Sequence, residues 1–394
     1  MATFDLLLHG DCWDADRGRR SDRWLAIDDG VIAGCFREKP GDAALERSVS
    51  LITPGLIDMH VHLVWDGSAD PVATLRSESE QALLIRALEN GRTQLRHGVT
   101  TVRDVGSVAD IAITVATAIR RDRLFGPRTF ASGRTVIITA GHDPFWGIMS
   151  DGPDACRQAV RELRGAGADL IKVSATGGVY GQAIGEEPGA TELTRAELEA
   201  VVDEAARFDL PVAAHAVGQD GIENAVAVGV DTIEHGNLMA DRTLDRLIDA
   251  DIAYDPTLYV YREIAHSDTA PAYARANAQA VFERHWEVAR RAIAEDARII
   301  AGSDAGSPGT PHPSLHRELT CLVEAGMDET AALTAATQTP AAELGRPKLG
   351  TLETGTPADV LGFDDDPLVD IGVTASPTVV VRDGDPAFYP DLPV

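Results

Sequence analysis

The sequence has little positive charge, and almost none of it is lysine. Of its 394 residues, 35 are Lys or Arg and 62 are Asp or Glu, which gives a formal net charge of −27. The lysines are Lys39, Lys172 and Lys348. Because such a surface repels polyanions, the composition argues against partners such as nucleic acid or an anionic membrane.

Cysteine motifs and long apolar runs are also missing. Cys12, Cys35, Cys156 and Cys321 form no C-x-x-C pair, so the sequence offers neither a zinc-finger spacing nor a disulfide framework. This cysteine usage fits a reducing compartment. The first ten residues lack the basic flank and long apolar stretch of a signal peptide, and no uncharged apolar run of about 18 residues is present. We therefore expect a cytoplasmic protein.

After Leu51, short runs rich in β-branched residues alternate with long helical stretches, a pattern typical of repeated β-α units. The strand candidates are 56–62, 99–105, 128–132, 169–174, 211–216, 232–235, 252–256 and 299–304. The helical candidates are 78–96, 107–122, 157–165, 194–208, 221–228, 242–249, 272–295 and 314–325. Eight such units predict an α/β fold, a (β/α)8 TIM barrel.

The two ends of the chain follow a different pattern. Both contain short strand-like runs separated by Gly, Asp and Pro, and Asp29-Gly30 between apolar runs is a hairpin signal. We predict a composite β-sandwich domain formed by residues 1–53 and 347–394. We predict that the barrel domain covers residues 54–346.

Polar side chains stand where the predicted barrel strands end, which is where TIM barrels carry their chemistry. They belong to the first, fourth, fifth, sixth and eighth strands: His60, His62, Lys172, His215, His235 and Asp304. In a strand, residues two apart project to the same side, so the first two can bind one ion together. Any one of these residues alone is more often structural, but their joint occurrence predicts a site for zinc or a similar divalent ion.

At this point the sequence resembles the amidohydrolase superfamily. Residues 53–62 (TPGLIDMHVH) resemble its opening signature, and residues 335–359 resemble its C-terminal passage. Ile171-Lys172-Val173 followed by Gly177-Gly178, with Gly141-His142 after strand three, is similar to one branch of the superfamily. That branch holds Xaa-Pro dipeptidases, acyl-amino-acid carboxypeptidases, imidazolonepropionase-related hydrolases and ochratoxin-type amidases.

The resemblance implies a centre of two divalent metal ions, of which zinc is the first choice. It implies one ion held by His60, His62 and Asp304, and a second held by His215 and His235. Lys172, carboxylated to N6-carboxylysine, would bridge them, because a carbamate supplies anionic oxygens where an ammonium would repel cations. A hydroxide bridging the metals would then attack an amide carbon.

The resemblance also implies roles for residues around the metals. Asp304 would accept the proton of the nucleophile and pass it to the leaving nitrogen, and His142 would stabilise the negative charge on the carbonyl oxygen. Tyr180 and Tyr259, like His142, are candidates for substrate binding. The substrate would be a small-molecule amide of the dipeptide or N-acyl amino acid type, and relatives imply a homo-oligomer.

Two other interpretations of the sequence stay open. The first is a deaminase or cyclic-amide hydrolase that uses one metal and leaves Lys172 unmodified. Such deaminases place a glutamate soon after the strand-five histidine, whereas here Glu223 follows eight residues after His215. The second is a non-catalytic barrel that binds metal as a scaffold.

Overall fold

Both ends of the chain contribute strands to one sheet. The computed structural model describes residues 2–180 and 187–389, so Met1 and the last five residues of the predicted end domain lie outside it. Within these ranges the strands are β1 (Ala2–Asp14), β2 (Gly18–Asp28), β3 (Val31–Phe36), β4 (Gly41–Pro54), β5 (Leu56–Val61), β6 (Val99–Asp104), β7 (Arg128–Ala131), β8 (Thr135–Ile137), β9 (Gly147–Met149), β10 (Ile171–Ser174), β11 (Val212–Ala216), β12 (Thr232–His235), β13 (Ala253–Asp255), β14 (Val360–Phe363), β15 (Val379–Arg382) and β16 (Asp385–Phe388).

The end sheet has the strand order β16-β15-β14-β4-β1-β2-β3. Strand β4 joins the two ends of the chain, because it runs parallel to β1 and antiparallel to β14, where Leu361 lies opposite Thr53. One core cluster of this domain is apolar, with Leu8, Leu25 and Val381 among its buried members. The four cysteines are free thiols, although the sulfur atoms of Cys12 and Cys35 lie 3.8 Å apart.

The central part of the chain forms the barrel. Its parallel strands follow the orders β5-β6-β7 and β13-β12-β11-β10-β8. The helices in the described ranges are α1 (Pro71–Ser77), α2 (Glu80–Arg96), α3 (Ile111–Arg120), α4 (Pro153–Ala166), α5 (Arg195–Ala206), α6 (Gln219–Val228), α7 (Asp241–Asp249), α8 (Leu258–His266), α9 (Ala272–Ala294), α10 (Leu315–Glu324), α11 (Glu329–Ala335) and α12 (Gln338–Glu343).

The predicted eighth strand, 299–304, closes the barrel without forming a regular ladder. Its backbone is held on both sides, since Ile300 N donates to the Tyr254 carbonyl and Met59 N donates to the Ala301 carbonyl, each at 3.0 Å. At Ser303 the backbone N–H bonds to a side chain instead of a strand carbonyl. The Asp58 carboxylate accepts hydrogen bonds from the Ser303 amide (2.9 Å) and from its hydroxyl (2.6 Å). The segment therefore completes the barrel with only isolated bridges at its two ends.

Gly302, in the same segment, allows the strands to approach closely. A Cβ atom there would lie 2.1 Å from a carboxylate oxygen of Asp255 and 2.5 Å from the Cβ of His60. Only glycine fits between these two buried side chains.

The fold class predicted from the sequence is confirmed: an α/β barrel carries a β domain built from both chain ends. The residue boundaries between the two parts stay a prediction. Several barrel elements are additional to those predicted: the short strands β8 and β9, and the helices α1, α8, α11 and α12. Helix α8 is rich in aromatic and β-branched residues, which have a low helix propensity. None of the helices in the described ranges is long and apolar enough to cross a membrane.

Candidate metal centre and active site

The predicted site residues of five barrel strands meet in one cleft at the carboxyl ends of those strands. The atom-free volume of this cleft is about 480 Å³, including the part open to solvent. Its lining contains all six predicted metal ligands and His142, together with Trp65, Asp143, Val179, Tyr180, Val260, Tyr261, Ile264, Ser307 and Pro308. The six predicted ligands, which are up to 244 positions apart in the sequence (His60 to Asp304), thus share one small space.

The donor atoms approach one another closely enough to share metal ions. The Nε2 atoms of His60 and His62 lie 3.8 and 3.4 Å from Asp304 Oδ1. His60, His235 and Asp304 each offer a ligand atom within 4.8 Å of the other two. The rings of His215 and His235 are 4.8 Å apart between centroids. This set of imidazoles and a carboxylate suits zinc and similar divalent ions.

Breaks in the strand conformation bring some of these side chains to the cleft. In a regular strand Glu234 and His235 would face opposite sides of the sheet. Instead His235 has a φ of +70°, and both side chains lie close to His60. Asp304 has a φ of +53°. Such left-handed positions cost of order 1–3 kcal/mol each and occur where the surrounding structure imposes them, often at functional sites.

Lys172 is the residue of the cleft that most needs a further partner. Its side chain is buried, and its Nζ atom has no hydrogen-bond partner within the described ranges. Burial lowers the pKa of this amine below its usual value, although the nearby carboxylates of Glu234 and Asp304 oppose the shift. A lowered pKa favours the neutral amine, which is the form that reacts with carbon dioxide. The orphaned Nζ therefore fits a carbamate that contacts cations.

The electrostatics of the cleft keep most of the histidines neutral and able to bind metal. Burial lowers the pKa of His60 to about 4. Burial and the neighbouring imidazoles lower the pKa of His215 and of His235 well below the usual value. His62 differs, because Asp304 raises its pKa even though burial opposes the charged form. The pKa of Asp304 is lowered in turn by His60 and His62 against the effect of burial.

Two of the histidines predicted as ligands, His62 and His235, make a contact through Nδ1 with a group outside the cleft. His62 Nδ1 lies 3.1 Å from the carbonyl oxygen of Gly106, and His235 Nδ1 lies 2.7 Å from the hydroxyl of Thr257. Because these contacts orient the rings, they direct Nε2 of each ring toward the cleft. Thr257 has a φ of +48°, which is rare for a β-branched residue, and only the structure shows its role.

His142 faces the same cleft from the loop after β8. Its ring stacks on that of His215 with a centroid distance of 4.1 Å, and its Nε2 lies 3.2 Å from Asp143 Oδ2. The backbone N–H of His142 donates to both carboxylate oxygens of Glu192 at 2.9 Å. The loop is therefore anchored, and the imidazole stands beside the metal ligands without being part of the closest group.

Of the two predicted substrate tyrosines, only Tyr180 lines the cleft. Its hydroxyl donates to Asp70 (2.6 Å) and accepts from the Val72 amide (3.0 Å). Tyr259 is not among the described residues that line the cleft, and its hydroxyl contacts Arg317 and Glu263. Its part in substrate binding stays a prediction. Tyr261 lines the cleft instead. Residues two apart in a helix face different sides, and the sequence alone predicted no helix here.

Two aromatic residues of the cleft region were not found from the sequence. Trp65 lies in the lining, and Trp146 packs beneath it with 4.5 Å between the ring centroids. Trp146 also stacks on the ring of His62 at 4.8 Å. Trp65 follows the first strand by three residues, which is a usable signal, whereas nothing in the sequence places Trp146 beside His62.

The glutamate relevant to a deaminase lies away from the cleft. Glu223 accepts hydrogen bonds from Arg242 and Arg246, both at 2.9 Å, on the outer surface of the barrel. It is absent from the described lining of the cleft. It is thus unavailable for proton transfer at this site.

Comparison with known proteins agrees with this geometry. The amidohydrolase family matches residues 51–387. The ochratoxinase of Aspergillus niger is 30% identical, over 91% of this chain and 80% of its own length. Among solved structures, a Xaa-Pro dipeptidase with methionine bound in its active site is 30% identical with a TM-score of 0.89, covering 97% of this chain and 99% of its own. The A. niger ochratoxinase structure gives a TM-score of 0.88 at 26% identity, covering 98% and 96%.

The family match covers most of the chain, and the strand ends that carry its signature also form the cleft. Relatives in the same branch include an ochratoxinase and a Xaa-Pro dipeptidase. The chain belongs to the amidohydrolase family and is a hydrolase that acts on amide bonds.

Proposed function

We propose that this protein is a metal-dependent amidohydrolase that cleaves an amide or peptide-like bond in a small molecule of the dipeptide or N-acyl amino acid type. The proposal includes two divalent ions, zinc being the first choice, and carboxylation of Lys172. Six residues would hold the ions: His60, His62, Lys172, His215, His235 and Asp304. A cytoplasmic location and homo-oligomeric assembly stay predictions from the sequence.

The observation that carries the proposal is the state of Lys172. A buried amine without a hydrogen-bond partner among the described residues is costly unless another group completes its surroundings. Neutral imidazoles and the Asp304 carboxylate line the same cleft. A carbamate on this lysine would add two anionic oxygens beside these residues, so one modification would both complete the surroundings of Nζ and add oxygen donors for cations.

When bound, divalent ions would supply Lewis-acid chemistry, which polarises a carbonyl and lowers the pKa of water enough to provide a nucleophile at neutral pH. The residues of the chain would then move the protons. Asp304, held by the Ser307 hydroxyl at 2.8 Å, would accept the proton of the nucleophile and return it to the leaving nitrogen. A ring N–H of His142 would stabilise the negative charge that develops on the carbonyl oxygen.

The relatives support an amide substrate. Ochratoxinase and Xaa-Pro dipeptidase are the functions attached to similar chains, and a prolidase solved with N-methylphosphonate-L-proline is 27% identical with a TM-score of 0.88. The position of Glu223 speaks against the one-metal deaminase, since this carboxylate is tied to two arginines at the surface. The metal-binding scaffold lacks support because Asp304 and His142 both face the cleft.

Metal removal and reconstitution test the proposal. We expect a chelator to abolish hydrolysis of N-acyl amino acids or Xaa-Pro dipeptides and Zn²⁺ to restore it, with two ions per chain by elemental mass spectrometry. The same protein prepared with and without bicarbonate should differ in intact mass by one carbon dioxide. One tightly bound ion per chain, together with release of ammonia, would favour the deaminase instead.

A further inference from the structure

A cluster of charged side chains lies inside the barrel, one layer below the cleft. Arg103, Glu234 and Asp255 come from β6, β12 and β13, and each is almost completely buried. Together with Thr232 they surround the inner side of His60. Charged groups are rarely this buried unless their partners are fixed in place, so the contacts of each one are informative.

Arg103 holds Glu234 in one orientation. Its Nη2 donates to both carboxylate oxygens of Glu234, at 2.8 and 2.9 Å. The other nitrogens of the guanidinium are also engaged: Nε donates to the Met59 carbonyl at 2.5 Å, and Nη1 donates to the Thr232 hydroxyl at 3.1 Å. The guanidinium thus ties β5, β6 and β12 together, and the carboxylate has little freedom to turn.

Glu234 in turn contacts the inner nitrogen of His60. Its Oε2 lies 2.8 Å from His60 Nδ1. An ionised carboxylate can only accept hydrogen bonds, so this contact requires a proton on Nδ1. The neutral ring then carries its lone pair on Nε2, the nitrogen that faces Asp304 in the cleft. A lone pair at that position is what a metal ligand needs.

Asp255 lies at the same depth without making this contact. Its nearest carboxylate oxygen is 3.8 Å from His60 Nδ1, beyond hydrogen-bond distance. Neither of its oxygens has a hydrogen-bond partner among the described residues. The cluster therefore contains two buried acidic side chains beside one histidine, of which only Glu234 makes a hydrogen bond to the ring.

We propose that Glu234, oriented by Arg103, is a positioning residue that fixes His60 in the Nδ1–H tautomer and so presents its Nε2 to a metal ion. The inference rests on the proposed function, because it assigns a role toward the metal centre. Contacts of this kind change metal affinity by about 10–100-fold when they are removed. Asp255 provides a matched control in the same cluster.

The first test compares Glu234→Gln with Asp255→Asn in zinc-free protein. Zn²⁺ affinity is measured by competition with a chromophoric chelator. Arg103 Nη2 donates to both carboxylate oxygens and His60 Nδ1 contacts one of them, so an amide at position 234 replaces one acceptor by an NH2 group that faces a donor. We expect affinity to fall on the order of tenfold. Asp255→Asn should stay close to the wild type.

Two results would overturn the inference: unchanged affinity in Glu234→Gln, or an equal loss in both variants. Failure of the wild-type chain to bind Zn²⁺ at all would instead contradict the proposed function. The two failures are therefore distinguishable.

A second measurement needs no variant at position 234 and so does not depend on its folding. In ¹⁵N-histidine-labelled, zinc-free wild-type protein, the tautomer of each neutral ring is read from its nitrogen resonances, and His60 is assigned by its loss in His60→Gln. We expect a protonated Nδ1 and an unprotonated Nε2. A protonated Nε2 on His60 would overturn the proposal.

Discussion

The cleft at the mouth of the barrel and the buried cluster beneath it (Arg103, Glu234 and Asp255) differ in how many hydrogen bonds their polar side chains make. At the mouth, Lys172 Nζ has no hydrogen-bond partner within the described part of the chain, and burial keeps His60 neutral. One layer below, Arg103 hydrogen-bonds through three of its nitrogens. The mouth presents groups that still need partners, whereas the lower layer is tied together and sets their orientation. This is the arrangement expected where buried hydrogen bonds fix the orientation of the residues that would hold a metal ion.

The two buried acids of the lower layer, Glu234 and Asp255, have pKa values shifted in opposite directions. Burial favours the neutral acid, yet Arg103 and His60 hold the pKa of Glu234 well below its usual value. Burial and the neighbouring Glu234 charge raise the pKa of Asp255 well above its usual value. The guanidinium thus favours the ionised form of Glu234, whereas burial and the charge of Glu234 favour the protonated form of Asp255.

The largest expected effect comes from removing groups at the mouth. Lys172→Ala should abolish measurable turnover and metal loading, and Asp304→Asn should lower kcat by about 10²–10⁴-fold through loss of the proton acceptor. Both side chains line the cleft and neither belongs to an apolar core cluster, so the metal-free variants should unfold near the temperature of the metal-free wild type. Lys348→Ala, on an exposed lysine, is the control. Full activity in either variant would contradict the assigned roles, as measured by steady-state kinetics.

A smaller effect is expected for a variant of His142. This variant tests whether His142 contacts the substrate or binds a metal ion. His142→Ala should lower kcat by about 10²–10³-fold, the cost of losing one donor to a developing oxyanion, while metal content stays unchanged. His97→Ala, on an exposed histidine, should change neither quantity. Loss of metal in parallel with rate would instead make His142 a ligand. Elemental analysis measures the metal content, and steady-state kinetics measures kcat.

The smallest expected effect is on the free energy of unfolding, and it comes from a contact between helices α10 and α8. Glu318 in α10 is buried, accepts hydrogen bonds from the amides of Leu258 and Tyr259 at the start of α8, and has its pKa raised by burial to about 7. The raised pKa means that folding favours the protonated form of Glu318. The stability that this contributes is fully present below the unfolded pKa of about 4.5 and is lost as the pH rises through about 7.

Glu318→Gln should remove this pH dependence. Between about pH 5 and pH 8 the wild type should lose on the order of 1–3 kcal/mol of unfolding free energy relative to the variant. Glu324→Gln, an exposed position of the same helix, should follow the wild type. Denaturant unfolding at several pH values measures the difference, and parallel curves for wild type and Glu318→Gln would refute it.

Much of the fold was predictable because the strand and helix periods are local properties of the sequence. Helix α5 and strand β12 are found close to where their residue patterns put them. The closing segment was placed correctly but is irregular, because Asp58 replaces its ladder at Ser303. Helix α8 was missed, since its start depends on a carboxylate from Glu318, which is about sixty residues away in the chain.

For the candidate site, residue types and strand ends were enough to select the six residues that the cleft brings together, including Lys172. The sequence could not show that Tyr261 lines the cleft, because that depends on the phase of a helix that the sequence did not predict. The role of Glu234 was invisible, since it depends on two residues, Arg103 and His60, that only the closed barrel brings beside it.

The sequence by itself determined the barrel, the family and the chemical types of the ligands, because alternation, strand order and short motifs are written in neighbouring residues. Tertiary structure decided which nitrogen of His60 faces the cleft, which tyrosines line it and which buried acid pairs with Arg103. These depend on distances between strands and on the burial of each group, and neither quantity exists until the barrel closes.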